Sequence, residues 1–531
     1  MVLFLFDRFS HPALPAFIVA GVLIGGFFPA EEMINFTQIG LSFLVFIFGV
    51  KMNPERLSLV AGDSLKTTAF QLVTISAISA AAAMILNLSG LNAVIFVLTT
   101  TLSSTLVGLD LLEKEIDLNL AHGRLAESIH LNQDLVAVVF LMFLGTAGFT
   151  AETVAQGLLS GLAVLFIALV FRSYLMDRLA SLTEGSRELM MLLSITVLVG
   201  FLGLTEVLRT SLALGSFAAG LAVSRYPHSS EILDTTGSLR DFFSAIFFVS
   251  LGALLSVPSP RILLLSAVMV FVTAVLKPYA VALALNLLVQ NSRTSHLAGF
   301  SLGQVSEFSL VIAIQAYLSG MISGAIFQSV IITAVVSMMI SSYTAKHGDR
   351  LYRLISRFEP LPSGGDIEGL EERPEDHIVV IGYDTQGERI VEKLKEEGAE
   401  FVVIENDPEK ITELNEKDEP FIYGDVMEDE TWREAGAENA RLILSTVPLE
   451  KVSEKIMQLD SRADRILRSK TIDEASRFLD EGALYVSVPK ILGSDLLLEH
   501  VEGLMEDREY RNDLRRRNML EVRRYLRDLE G

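Results

Sequence analysis

The chain has 531 residues, half of them apolar, with a mean hydropathy of +0.45 and a formal net charge of −22. Such acidity argues against nucleic acid as a partner, and the absence of cysteine excludes disulfides and thiolate metal sites. Charge is unevenly spread: residues 1–346 carry 16 Lys/Arg and 20 Asp/Glu, whereas residues 347–531 carry 27 and 45. A nearly neutral, membrane-like part therefore precedes an acidic soluble one.

In chain order, "MVLFLFDRFSHPALPAFIVAGVLIGG" lacks a basic n-region and is followed by many more apolar stretches, so it does not read as a cleavable signal. A span needs about 20 mostly apolar residues, somewhat fewer where helices break or are partly buried. Twelve are predicted: 13–28, 36–50, 67–86, 92–112, 126–146, 153–171, 189–207, 211–224, 242–256, 262–289, 295–318 and 324–345. An even count puts both termini on one side. That side carries Arg8, Lys51, Arg56, Lys66, Lys114, Arg124, Arg172, Arg178, Arg187, Arg225, Arg240 and Arg293, against Arg209 and Arg261 opposite. The positive-inside rule then places both termini in the cytoplasm of a multi-pass protein of the cell membrane.

The membrane part repeats itself at an offset of about 200 residues. "AGVLIG" (20–25) answers "AGLAVS" (219–224), "FLVFIFGVKM" (43–52) answers "IFFVSLGALL" (246–255), and "TLSSTLVG" (101–108) answers "SLGQVSEF" (301–308). Seven spans separate the copies, so they cross the membrane in opposite directions. Inverted repeats are the mark of secondary transporters, with the ion site at mid-membrane between broken helices.

The fourth and eleventh spans are polar or small at mid-membrane, as a broken helix would be, and Glu307 or Gln304 could compensate an exposed positive half-helix end. The fifth contains Asp134, with Gln133 beside it and apolar residues after it. A charge at mid-bilayer costs roughly 2.5–3.5 kcal/mol on insertion scales, so such a residue points to function. The tenth span places Lys277 at mid-depth, followed by Pro278, too deep for a helix-end lysine reaching the interface. Opposite charges buried in one bundle are expected to face each other or a shared cavity. Glu127, His130 and Asp134 fall at i, i+3 and i+7, on one helical face. His130 reads first as an interfacial polar residue near a helix end and second as a sensor of cytoplasmic pH.

These residues resemble the Kef-type branch of the cation:proton antiporter-2 family. The matching stretches are "LSSTLVGLDLLEK" (102–114), Gln133-Asp134, "FFVSLGALL" (247–255) and "GQVSEFSLVI" (303–312), and the resemblance runs over essentially the whole chain. It implies potassium/proton exchange, crossed broken helices and a homodimer. Asp134 would be the ion- and proton-binding carboxylate and Gln133 its neighbour. The family's membrane lysine falls at Lys277, and the crossing helices carry Ser103, Ser104, Thr105, Gln304 and Glu307. Members usually carry a further helix before "LPAFIVAGVLIGG", where this chain has about a dozen residues.

Beyond a charged, Pro/Gly-containing linker (347–375), short strands alternate with helices over 376–505, and a charged helical tail (506–531) ends the chain. The strands are "HIVVIGY", "FVVIENDPEK", "PFIYGD", "RLILSTV", "DRILRSK" and "ALYVSVP", which make a doubly wound, Rossmann-like α/β sheet. This part resembles the TrkA-N/RCK regulatory domain, a nucleotide-binding module. Its glycine fingerprint is incomplete: "GYDTQG" keeps Gly382 and Gly387 but has Asp384 where the second glycine would let the backbone approach a pyrophosphate. Glu405 ends the second strand, where ribose hydroxyls would sit, and Gly424 and Asp425 match the domain's third-strand signature. AMP, NAD(H), or no ligand in a domain kept for dimerisation all remain compatible.

The expected activity is proton-coupled exchange of a monovalent cation, K+ or Na+, electroneutral because Gln133 does not titrate, and regulated by the RCK domain. A cation channel with the same domain is the alternative, although no T-V-G-Y-G filter appears. A membrane oxidoreductase would need thiol or haem chemistry that the composition does not supply. No enzymatic residue is assigned, and neither glutathione control nor an ancillary subunit is settled by the sequence.

Overall fold

The computed structural model describes residues 13–52, 63–105, 121–143, 151–183, 186–225, 228–287, 292–355, 375–427, 429–506, 514–516 and 518–519. The start of the chain, the stretch "LVGLDLLEK", most of the linker and most of the tail lie outside the described residues. The chain divides into two compact units, 1–365 and 366–531.

The first unit is helical: α1 (Ala13–Ile24), α2 (Ala30–Lys51), α3 (Asp63–Ile85), α4 (Leu91–Thr101), α5 (Ala121–Phe143), α6 (Ala151–Val170), α7 (Met176–Ser181), α8 (Arg187–Leu208), α9 (Leu212–Ala222), α10 (His228–Ala253), α11 (Pro260–Phe271), α12 (Lys277–Leu287), α13 (Ser292–Phe300), α14 (Glu307–Leu318), α15 (Gly324–Lys346) and α16 (Gly348–Ile355). Among the described residues, seven helices are long and apolar enough to cross a membrane. Every predicted span falls on helix, with three instructive departures. Helix α4 stops at Thr101 instead of running on to 112, and the eleventh span is split between α13 and α14. Helix α10 begins at His228, well before 242, because the polar run "HSSEILDTTGSLRD" hides its first half from a hydropathy reading.

Polarity is distributed as a lipid solvent demands. Val73, Met84, Leu159 and Phe166 are exposed, while Asp134, Gln133, Lys277, Gln304 and Glu307 are buried. The repeat is visible in the packing. Helix α2 lies against α9, where a Cβ on Gly49 would strike the Phe217 carbonyl and one on Gly220 the Phe46 carbonyl. About 200 residues away the relation recurs: a Cβ on Gly252 of α10 would strike the Ile18 carbonyl, and one on Gly21 of α1 the Val249 carbonyl. Lipid gives helices no hydrophobic reason to associate, so close backbone approach at small residues and polar staples replace it. One such staple joins Thr37 Oγ1 to Ser250 Oγ at 2.9 Å, between α2 and α10. Helix α9 has eleven residues and is almost wholly buried, so it is a core element carried by its neighbours.

The second unit is a six-stranded parallel sheet in the order β3-β2-β1-β4-β5-β6, with β1 (Ile378–Ile381), β2 (Phe401–Glu405), β3 (Phe421–Tyr423), β4 (Leu442–Ser445), β5 (Asp464–Arg468) and β6 (Tyr485–Ser487). Ile378 pairs with Phe401 on one side and Leu442 on the other. Strand β1 is therefore central in the sheet, and all four of its residues are buried, which is why it reads as an unbroken apolar run. The strand order reverses between β1 and β4, and the turn from β1 into α17 (Thr385–Glu396) sits at that switch point, where doubly wound sheets bind ligands.

Candidate functional site

The membrane site is built on two interruptions of helix. Helix α4 ends at Thr101, Leu102 to Ser104 are non-helical, and helix resumes at Thr105. Its counterpart is the turn from Ser301 to Ser306 between α13 and α14. The two breaks cross in contact. Ser103 Oγ donates to the Leu302 carbonyl at 2.9 Å, the Ser306 N–H donates to the Leu102 carbonyl at 3.2 Å, and Gln304 Nε2 donates to the Ser104 carbonyl at 3.1 Å.

Lys277 joins the two breaks. Its fully buried ammonium donates to the Leu102 carbonyl at 3.0 Å and the Gln304 carbonyl at 2.8 Å, one from each broken helix. The following proline explains how it gets there. Pro278 has no N–H to donate to Ala274, so the helix widens into a π turn over Val272–Leu276, and the Lys277 N–H bonds to Val272 five residues back. Gly299 and Gly303 leave room for Pro278, since a Cβ on Gly303 would lie 3.2 Å from its Cγ. Of the two expected arrangements, facing Asp134 or sharing a cavity with it, a direct ion pair is not found among the described residues: the Lys277 charge lies on unwound backbone. Carbonyls at a helix C-terminal end carry partial negative charge and lack helical donors, so they compete well for a buried cation.

Asp134, in the middle of α5, accepts a hydrogen bond from Thr105 Oγ1 at 2.7 Å, at the point where helix resumes after the first break. Gln133 is held on both sides: its Oε1 accepts from the Ser103 N–H at 2.6 Å and its Nε2 donates to Gln71 Oε1 at 2.9 Å. Glu307 opens α14, directly after the second break, and is fully buried. Gln304 does not compensate a positive helix end. Its amide nitrogen donates to the Ser104 and Ser301 carbonyls, and its oxygen accepts from Ser341 Oγ at 2.7 Å. All eight predicted residues are therefore buried around one crossing.

Sequence reading missed Gln71 and Ser341, which brace Gln133 and Gln304. The lone glutamine in the apolar text of the third span was a usable signal for the first. His130 is 0% exposed and lies well inside α5, so it is enclosed by protein and does not sit at a helix end.

In the α/β unit, Gly382 has φ +88°, which opens the turn after β1, and Gly387 allows close packing because a Cβ there would strike the Gly382 carbonyl. Asp384 is the N-cap of α17. Its Oδ1 accepts from the Gln386 and Gly387 N–H groups at 3.0 and 2.9 Å, and its Oδ2 lies 3.6 Å from Arg468 Nη1. A helix N-terminus is a ready anion seat, and here the protein's own carboxylate occupies it. Glu405 Oε2 accepts from the Tyr383 N–H at 2.6 Å, and Oε1 from the Asn406 and Asp407 N–H groups at 2.7 and 2.8 Å. A carboxylate offers about four lone-pair positions, so little is left for a ribose. Asp425 turns inward to accept from the Met427 N–H at 2.9 Å, and Gly424 leaves room for Thr431. Burial raises the Tyr383 phenol, with Lys417 opposing, so the loop keeps a neutral hydroxyl. These residues do not fit the pyrophosphate of a dinucleotide as they stand.

The sodium/hydrogen exchanger, transmembrane, family model matches residues 1–347, and the TrkA-N domain model matches 378–489. This chain belongs to the transmembrane sodium/hydrogen exchanger family. The exchanger is 27% identical over 466 residues to YbaL of Escherichia coli strain K12, named as a cation/proton antiporter, covering 82% of each chain. It is 25% identical over 472 residues to the glutathione-regulated potassium-efflux system protein KefC of Klebsiella pneumoniae (strain 342), covering 85% of this chain and 74% of that one. Among solved structures it is similar to the sodium proton antiporter MjNhaP1 of Methanocaldococcus jannaschii, at 15% identity and TM-score 0.48 over 66% of this chain and 94% of the other. The TrkA-N domain of the E. coli inner membrane protein ybaL matches 24% of this chain and 96% of its own, at 24% identity and TM-score 0.23. The exchanger is thus a multi-pass helical membrane protein with a Rossmann-like TrkA-N domain.

Proposed function

We propose that the protein exchanges a monovalent cation, preferentially K+, for H+ across the cell membrane, with both termini in the cytoplasm. The observation that carries this reading is a buried carboxylate, Asp134, in the middle of a helix and seated against an unwound backbone where two broken helices cross. Proton and cation compete for it. Carbonyls and hydroxyls freed by the breaks, with Ser103, Ser104 and Thr105 nearest, supply further oxygen ligands for a hard cation. Gln133, Gln304, Glu307 and Lys277 hold the crossing and set its charge. The potassium-efflux names of KefC and of KefB from Alkalimonas amylolytica support K+ over Na+.

Gln133 does not titrate, so one proton replaces one cation and the cycle moves no net charge. In proteoliposomes with a K+ gradient, proton movement is expected to persist when the membrane potential is clamped at zero, with a rate insensitive to imposed voltage. Clear voltage dependence would refute the one-for-one stoichiometry, and a sustained current would indicate a channel.

The TrkA-N domain serves as the regulatory module of a homodimer. Asp384 fills the anion seat, so dinucleotide binding is expected to be weak. Asp384→Gly removes both the internal anion and its bulk and should raise NAD(H) affinity on the order of tenfold, equivalent to about 1.4 kcal/mol. Calorimetric titration of the full-length protein in detergent, with AMP alongside, checks this. Tight NAD(H) binding by the unmodified protein would overturn it.

A further inference from the structure

His130 lies one turn before Asp134 on α5 and is wholly enclosed. Its Nδ1 sits 2.7 Å from the Ala126 carbonyl. A carbonyl only accepts, so Nδ1 carries the hydrogen and Nε2 is left with the lone pair. That Nε2 is buried with no hydrogen-bond partner among the described residues, and the same is true of Asp134 Oδ1. Residues at i and i+4 share a helix face, so two unpartnered buried acceptors belong to side chains that are one turn apart, with Cβ atoms about 6 Å apart. Glu127, one turn earlier on that face, is only partly buried. The face therefore runs from a partly exposed carboxylate through an imidazole to the buried one.

His296 and His377 also leave one ring nitrogen without a partner among the described residues, so what sets His130 apart is that its open Nε2 shares a helix face with the open oxygen of Asp134. We propose that His130 is the proton-transfer residue between the cytoplasm and Asp134, an inference that rests on the assignment of Asp134 as the exchange site. Nε2 takes a proton delivered along the Glu127 side, while the resulting imidazolium stays anchored through Nδ1–H to the Ala126 carbonyl. Through one intervening water, Nε2 then returns that proton to the Asp134 carboxylate, releasing the bound cation and restoring the neutral ring. No electrons move, and each proton taken up is passed on.

The titratable groups on the elements packed around this path are Glu127 and Asp134 on α5, Arg293 and His296 on α13, Glu307 on α14, and Lys277 on α12. Lys66 on α3 and Glu152 on α6 lie near the starts of their helices and are exposed.

A transport comparison separates this role from packing. Exchange of K+ for a rubidium tracer needs the Asp134 site and its alternating access but no proton. Exchange of K+ for H+ needs the relay as well. In proteoliposomes, His130→Gln, which is polar and does not titrate, should slow K+/H+ exchange about tenfold or more, within the range of acid–base contributions, and retain K+/Rb+ exchange. The acidic limb of the cytoplasmic-side pH profile should flatten in the variant. Equal slowing of both modes would show a structural role and overturn the proposal, as would unchanged K+/H+ exchange. Asp134→Asn run alongside keeps the two readings apart: if it retains both modes, the exchange-site assignment itself has failed. His130→Asn provides a second non-titrating variant should the glutamine form fold poorly.

Discussion

Asp134→Asn is expected to abolish K+/H+ exchange, a loss of at least about a hundredfold, while the protein melts within a few degrees of the parent. The two halves of this expectation have different physical sources. Asparagine is nearly isosteric, and its carbonyl oxygen can still accept from Thr105 Oγ1, the one hydrogen bond the carboxylate makes among the described residues. The neighbours are anchored without it, since Gln133 is held by the Ser103 N–H and Gln71, and Lys277 by two carbonyls. What disappears is the negative charge that draws a cation out of water and the group that takes its place with a proton. Neutral oxygens at the breaks cannot replace that, because binding a bare cation in a buried site without a counter-charge is costly. Proteoliposome exchange and thermal melting in detergent measure the two halves separately. Full activity in the variant would sink the site.

The fold was largely legible because lipid and water impose opposite, simple patterns. Spans follow from apolar length, and the α/β sheet follows from six short β-rich runs interleaved with helices. Where hydropathy carries no information the reading failed, as at the polar first half of α10 and at the end of α4. The residues of the crossing could be named from their polarity, but their partners could not. Sequence displays side-chain charges, so Lys277 suggested Asp134. The groups it meets are backbone carbonyls, which become available only when two helices break at the same depth. Asp384 shows the converse: an aspartate immediately before a helix is an N-cap signature, so its contact with the Gln386 and Gly387 amides was legible in "DTQG". The burial of His130 had no local signal at all.

Lys277→Met should lower the stability of the membrane unit by roughly 2–4 kcal/mol and remove exchange with it. Methionine matches the volume and restores apolar contact, so packing beside Pro278 and Gly303 is kept and the loss reports the ammonium. The Gln304 carbonyl then has no described donor, and the Leu102 carbonyl retains only the Ser306 N–H. Each unsatisfied buried acceptor costs about 1–3 kcal/mol, and the partial negative charge at the end of α4 loses its counter-charge as well. Removing the buried charge also stabilises the variant, since no lysine need be desolvated, and this keeps the net figure below the sum of the separate losses. Lys277→Gln divides the two contributions, because an amide donates to a carbonyl without carrying charge. The expected order of melting temperature in detergent is parent, then Gln, then Met. A Met variant that melts with the parent would mean that the crossing holds without its ammonium, and the role given to Lys277 would fall.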